Sequence, residues 1–221
     1  MNLRKKVALE IGIIAVSTTL FSLLFPRRSP AVDVCLALVA LAALGLSRNY
    51  TQNMVWAAFP PPVSHHRFKR CIIVTFSITI PVALLFFAIG GCISFHDAGW
   101  AGVHQRLFNL RIPAAFCCYL PWALAQQTLL QFYLLGRLLV LFPRRLLAIP
   151  IMITGTCFGL VHLPDIWTAS VTVVAGMVWS WLYYRYRCLT PLAFSHAMLG
   201  TAFYYGIFGH DLATEWRAIL P

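Results

Sequence analysis

Apolar residues gather in long runs along this chain, and short polar groups separate them. The runs cover 7–25, 31–46, 71–94, 112–141, 146–163, 166–184 and 188–208. A helix needs about 20 apolar residues to cross a bilayer. The expected fold is therefore all-α: a polytopic transmembrane helical bundle of about seven spans, or six to eight given the short second run and the long fourth. Between Ser47 and Arg70 the pattern breaks. Pro60, Pro61 and Pro62 cannot continue a helix, and His65, His66, Arg67, Lys69 and Arg70 follow them. An interfacial loop with a basic patch is expected there. His96 to Arg111 reads as a second polar connector, a short helix in the headgroup region. No internal repeat or low-complexity tract is evident, and a transporter would be expected to show repeat symmetry or interrupted helices in matching halves.

Composition supports this reading. Of the 221 residues, 60% are hydrophobic and 10% charged, against about 25% charged in an ordinary soluble domain. Lipid tails accept an apolar surface that water would not. One membrane domain over 1–221 fits the length, with no soluble domain attached. The first run is longer than a signal-peptide core and lacks a small-residue cleavage site, so it reads as a retained span.

The net charge of +11 does not form the continuous stripes of a nucleic-acid binder, so no nucleic-acid partner is expected. The basic residues flank the apolar runs, where they set orientation and meet anionic headgroups. With the N-terminus inside, Arg4, Lys5, Lys6, Arg48, Arg67, Lys69, Arg70, Arg137, Arg144, Arg145, Arg185 and Arg187 fall inside. Arg27, Arg28, Arg106, Arg111 and Arg217 fall outside. Twelve against five favours a cytoplasmic N-terminus. The compact size suggests a bacterial cytoplasmic membrane. The seven cysteines lie in or beside apolar runs without a CxxC pair, which suggests small buried side chains rather than a zinc ribbon or redox motif.

Polar residues inside spans are expensive and default to functional candidates. The fourth run holds Gln126, Gln127 and Gln131. On an α-helix Gln127 and Gln131 share a face at i, i+4, with Gln126 beside them. Three carboxamides should point away from lipid, either as interhelical hydrogen-bonding residues or as a site. The fifth run ends in Phe158-Gly-Leu-Val-His162-Leu-Pro164-Asp165. His162 closes a helix that Pro164 resists extending, and Asp165 is placed to orient the imidazole. A histidine at a helix C-terminus is also favourable in itself. In the seventh run, His196 lies about 12 Å past Cys188 along the helix axis. A histidine that deep needs a partner. Two such histidines and a glutamine cluster point to a buried polar site.

In order and spacing these segments resemble the CPBP family, which includes CAAX-type prenyl-protein proteases and bacteriocin-processing or self-immunity (Abi) membrane proteins. Its pattern is Glu-Glu-x-x-x-Arg, then Phe-x-x-x-His, then His-x-x-x-Asn or a relaxed version. Here Gln126-Gln127-x-x-x-Gln131, Phe158-x-x-x-His162 and His196-x-x-x-Gly200 stand in those places. The likeness covers 112–205 and leaves the first three spans unassigned. It implies a glutamic-type intramembrane protease, in which a glutamate and a histidine activate water and other polar groups hold the scissile carbonyl. Carried over, Gln126 or Gln127 would act with His162, His196 would help bind the oxyanion, and Gly200 would replace the Asn.

A carboxamide does not usefully accept a proton at neutral pH, and Gln131 lacks the charge and donor fork of an arginine. Two acids and a base all replaced by glutamine keep a site polar while lowering its burial cost, which suggests a maintained, repurposed site. The expectation is an intramembrane endopeptidase with an altered active site, cleaving a membrane-embedded protein or peptide in the bilayer. There, His162 is the base and the glutamine amides polarise the carbonyl. The alternative is a catalytically inactive relative that binds a peptide, lipid or partner protein in the former cavity. No cofactor is expected. His162 and His196 are too few for a typical zinc site, which needs three or four ligands.

Overall fold

A computed structural model describes residues 3–24, 38, 42, 64–109 and 111–210 of the chain, and the side chains of all of these except 17–24. The described residues form helices and no strand. They are α1 (Leu3–Leu24), α2 (His65–Leu107), α3 (Arg111–Gln127), a π-helix (Thr128–Leu135), α4 (Gly136–Leu141), a 3-10 turn (Arg144–Leu146), α5 (Ala148–Leu160), α6 (Ile166–Tyr186), α7 (Thr190–Phe203) and a second π-helix (Tyr204–Phe208). The architecture is the helical bundle of a polytopic membrane protein. Among the described residues three helices are long and apolar enough to cross a membrane: His65–Leu107, Arg111–Leu141 and Ile166–Tyr186. The apolar run 146–163 gives a helix of 13 residues, about 20 Å long at 1.5 Å per residue. The run at 31–46 lies outside the described residues save for 38 and 42.

Helix α2 corrects the loop expected up to Arg70. It starts at His65, where the Ser64 side chain accepts a hydrogen bond from the Arg67 backbone N–H. His65, His66, Arg67, Lys69 and Arg70 therefore form its first turns; residues 47–63 lie outside the described residues. Downstream, the helix breaks at Ala98 and Gly99 and continues to Leu107. Gly99 has φ +60° and ψ −152°, a conformation open essentially to glycine alone.

The chain divides into two compact units, Met1–Val63 with Thr128–Arg187, and Ser64–Gln127 with Cys188–Pro221. In the first, α5 and α6 pack most closely. Gly155-Thr-Cys-Phe-Gly159 on α5 is a GxxxG stripe facing Gly176 of α6. A Cβ on Gly176 would lie 2.9 Å from the Gly155 Cα, and one on Gly159 2.7 Å from the Ala169 carbonyl oxygen. Small residues thus bring two backbones together where no hydrophobic drive between helices operates.

In the second unit α7 packs on α2 and α3. The buried face of α2 is small or polar, comprising Cys71, Thr75, Thr79, Ala83, Gly90 and Ser94. Its outer face carries Ile73, Leu84 and Leu85, each more than half exposed. Apolar side chains outward and small ones inward is the arrangement lipid favours. Cys71 and Cys188 are buried as expected, but Cys92, Cys117 and Cys118 are exposed. A small apolar thiol costs little on a lipid-facing surface, so cysteine did not mark the interior here.

Candidate functional site

Within the second unit the structure gathers Gln127, His196, Gly200 and a residue that sequence reasoning missed, Tyr119. Ser195 and Thr79 fix the rotation of α7, their buried hydroxyl oxygens 2.6 Å apart. His196 is then 3% exposed. The Gln127 amide nitrogen lies 3.4 Å from Nδ1 of the imidazole. With Nδ1 accepting, Nε2 carries the proton and donates to the Tyr119 hydroxyl at 3.0 Å. The two rings meet edge to face at 5.5 Å. The expected partner of a deep histidine is present, and it is bound at both nitrogens. Tyr119 left no motif, since Cys-Cys-Tyr-Leu-Pro reads as ordinary apolar span. Gly200 matters through the same tyrosine: a Cβ there would lie 2.5 Å from the Tyr119 ring. Gln126 sits beside Gln127, half-buried, and its Oε1 is shielded without a hydrogen-bond partner among the described residues.

Within the first unit His162 follows the end of α5. Its Nδ1 lies 2.8 Å from the Phe158 carbonyl oxygen and 3.3 Å from the Thr172 hydroxyl. A carbonyl can only accept, so Nδ1 carries the proton and Nε2 is the basic nitrogen. The Thr172 hydroxyl donates to the Thr168 and Ala169 carbonyls, which leaves its oxygen to accept from Nδ1–H. The fully buried Phe158 presents its ring edge-on to the imidazole at 5.1 Å. Asp165, read from sequence as the orienting acid, does something else. Its carboxylate caps α6, accepting from the Trp167 and Thr168 backbone N–H groups and from the Thr168 hydroxyl. Four unsatisfied N–H groups at a helix start draw a nearby aspartate strongly, and the carbonyl of Phe158 takes the orienting role instead.

Gln131 lies in the π-helix and is fully buried; neither polar atom of its amide has a partner among the described residues. The α-helical period that put Gln127 and Gln131 on one face stops at Gln127, because Thr128–Leu135 is wound more loosely. π-Turns within α-helices occur frequently at functional sites. A further buried group escaped the sequence reading. Arg137, counted there as a flanking charge, is 1% exposed. It lies 3.5 Å from Glu10 of α1 and covers the Tyr133 ring at 4.5 Å, while the Tyr133 hydroxyl donates to Glu10. The available signal was Glu10 itself, the one acidic residue in the first apolar run. Among the described residues no group of three or more His, Cys, Asp or Glu side chains gathers to hold a metal ion.

A helical bundle with lipid-type surfaces and buried glutamine and histidine groups in its helices is that of an integral membrane protein. The sequence model of one family, type II CAAX prenyl endopeptidase Rce1-like, matches residues 77–202, more than half of the chain. The chain belongs to this Rce1-like family, and so to the CPBP group that its motifs resemble. The match starts inside α2, so the likeness includes a helix that the motifs had left unassigned. No curated protein matches the chain, and no solved structure does so.

Proposed function

We propose that this chain is an intramembrane endopeptidase with an altered active site, acting on a membrane-embedded protein or peptide, with His162 as the general base. The observation that carries this reading is the hydrogen bond of His162 Nδ1 to the Phe158 carbonyl. It holds the tautomer in which Nε2 accepts a proton, and imidazole has an unperturbed pKa of about 6.5, suited to that task without a carboxylate. In the proposed step Nε2 takes a proton from water, and the hydroxide adds to the scissile carbonyl. The imidazolium then returns the proton to the departing amine as the C–N bond breaks. The family likeness gives His196 the oxyanion role. In this chain its Nε2–H is held by the Tyr119 hydroxyl and its Nδ1 faces Gln127, so His196 can serve as that donor only when Tyr119 gives way. No metal takes part in this reading. The N-terminus is cytoplasmic, and the membrane is the bacterial cytoplasmic membrane.

A second reading has one specific observation behind it: Gln127, rather than a carboxylate, meets His196. A non-catalytic relative would keep the polar groups for binding a peptide, lipid or partner protein. The purified full-length protein in liposomes, given a prenylated CAAX-type peptide and a panel of membrane-embedded peptides, separates the two. Cleavage by the unaltered chain supports the peptidase. If neither the unaltered chain nor Gln127→Glu cleaves anything, while crosslinking recovers a ligand that Gln127→Leu loses, the binding reading holds.

A further inference from the structure

The first unit contains a cavity of about 370 Å³, within the range of small-ligand sites. Four arginines line it: Arg137 from α4, Arg144 from the 3-10 turn, and Arg185 and Arg187 from the end of α6. Among the described residues no acidic side chain lines it. Of these four arginines, Glu10 pairs among the described residues with Arg137, and Arg187 approaches the faces of Tyr183 and Tyr184 at 5.7 and 5.8 Å. Arg144 and Arg185 are exposed and have no acidic partner among the described residues. Helix C-termini attract cations, but that accounts for the two arginines at the end of α6 and not for one on a neighbouring turn facing the same space. The remaining wall is apolar, including Phe142 and Leu147.

We propose that this cavity binds the phosphate headgroup of an anionic glycerophospholipid. Arg144 and Arg185 grip the phosphate oxygens, and the apolar wall takes the start of an acyl chain. Arginine forks match phosphate geometry bidentately. Two of the four arginines stand at the end of a helix of spanning length, which is where headgroups lie. A soluble phosphate would use the arginines but gain nothing from Phe142 and Leu147. The site is independent of the peptidase reading, because it uses none of the residues given a role there.

The test uses the purified full-length chain in neutral phosphatidylcholine nanodiscs, with phosphatidylglycerol, inorganic phosphate or glycerol phosphate added. Retained lipid is counted by native mass spectrometry, and thermal midpoints are measured alongside. Each arginine near a headgroup is worth about 5-fold in anionic-lipid binding, so Arg144→Gln with Arg185→Gln should lower phosphatidylglycerol retention about 25-fold. Arg67→Gln with Arg70→Gln, on the first turns of α2, should leave it unchanged. An equal loss in both double variants, or in neither, overturns the site. Inorganic phosphate or glycerol phosphate binding as tightly as the lipid overturns the lipid assignment. If the double variant does not fold, Arg185→Gln alone carries the test, with about 5-fold loss expected and no loss refuting it.

Discussion

Gly200→Ala is the smallest substitution that reaches the His196 group. The added Cβ would lie 2.5 Å from Cε1 of Tyr119, 3.3 Å from Cδ1 and 3.4 Å from Cζ. Carbon atoms rest about 3.5–4.0 Å apart, so the ring must retreat by about 1 Å. Its hydroxyl is 3.0 Å from His196 Nε2, and a retreat of that size takes the hydrogen bond past its limit of about 3.5 Å. Overpacking costs about 1–3 kcal/mol and the lost bond about 1 kcal/mol more. Gly200→Ala should therefore destabilise the protein by about 2–4 kcal/mol. Tyr119→Phe should cost about 1 kcal/mol, since it removes only the bond. In a Tyr119→Ala background the cost of Gly200→Ala should nearly vanish. The assay is a double-mutant cycle on unfolding by sodium dodecyl sulfate in mixed micelles. Additivity of Gly200→Ala and Tyr119→Ala within about 0.5 kcal/mol would refute the steric reasoning. The asparagine that the family pattern carries at this position would meet the same ring, so a side chain at 200 and Tyr119 compete for one space.

Other outcomes follow from single contacts. Gly159→Leu should destabilise by at least about 1–3 kcal/mol, because its Cβ alone meets the Ala169 carbonyl; an unchanged unfolding midpoint contradicts the close α5–α6 packing. Thr172→Val should lower kcat less than about 10-fold with KM little changed, since Nδ1–H keeps its Phe158 acceptor and one neutral hydrogen bond is worth about 1 kcal/mol. A drop as large as that of a His162 substitution would show that Thr172, not Phe158, holds the tautomer. Arg106 donates to the Tyr205 and Ile207 carbonyls and to the Ser94 hydroxyl. Arg106→Gln should speed amide exchange in 204–208 by at least about 10-fold, from the loss of charged hydrogen bonds worth about 1.5–3 kcal/mol. Unchanged exchange would mean that the second π-helix does not depend on this clamp.

Much of the fold was legible because lipid makes span composition nearly sufficient. The runs at 112–141 and 166–184 became helices close to their predicted limits. The start of α2 was missed for a physical reason. Five basic or histidine side chains after three prolines look unlike a helix N-terminus, where cations are disfavoured. Long basic side chains can still reach the headgroups from the first turns of a spanning helix, and Ser64 supplies the cap. The buried glutamines and His196 were legible because a polar group in a span demands shelter. Their partners were not: Tyr119 and Thr172 meet the histidines across 77 and 10 residues of sequence, and neither stands out from its neighbours. The GxxxG of α5 carried a packing signal that the sequence reading passed over. The loosened winding at Thr128–Leu135 was not, since nothing in Thr-Leu-Leu-Gln-Phe distinguishes a π-turn from an α-turn.

The role of His162 as base meets its most direct test in cleavage by His162→Ala in liposomes, with and without added imidazole. Removing a general base costs about 10²–10⁴-fold in rate. His162 is partly exposed, so small imidazoles can reach the vacated position. The expected result is cleavage by the unaltered protein, loss of that order in His162→Ala, and partial recovery as imidazole rises. Cleavage by His162→Ala at the unaltered rate contradicts the assignment.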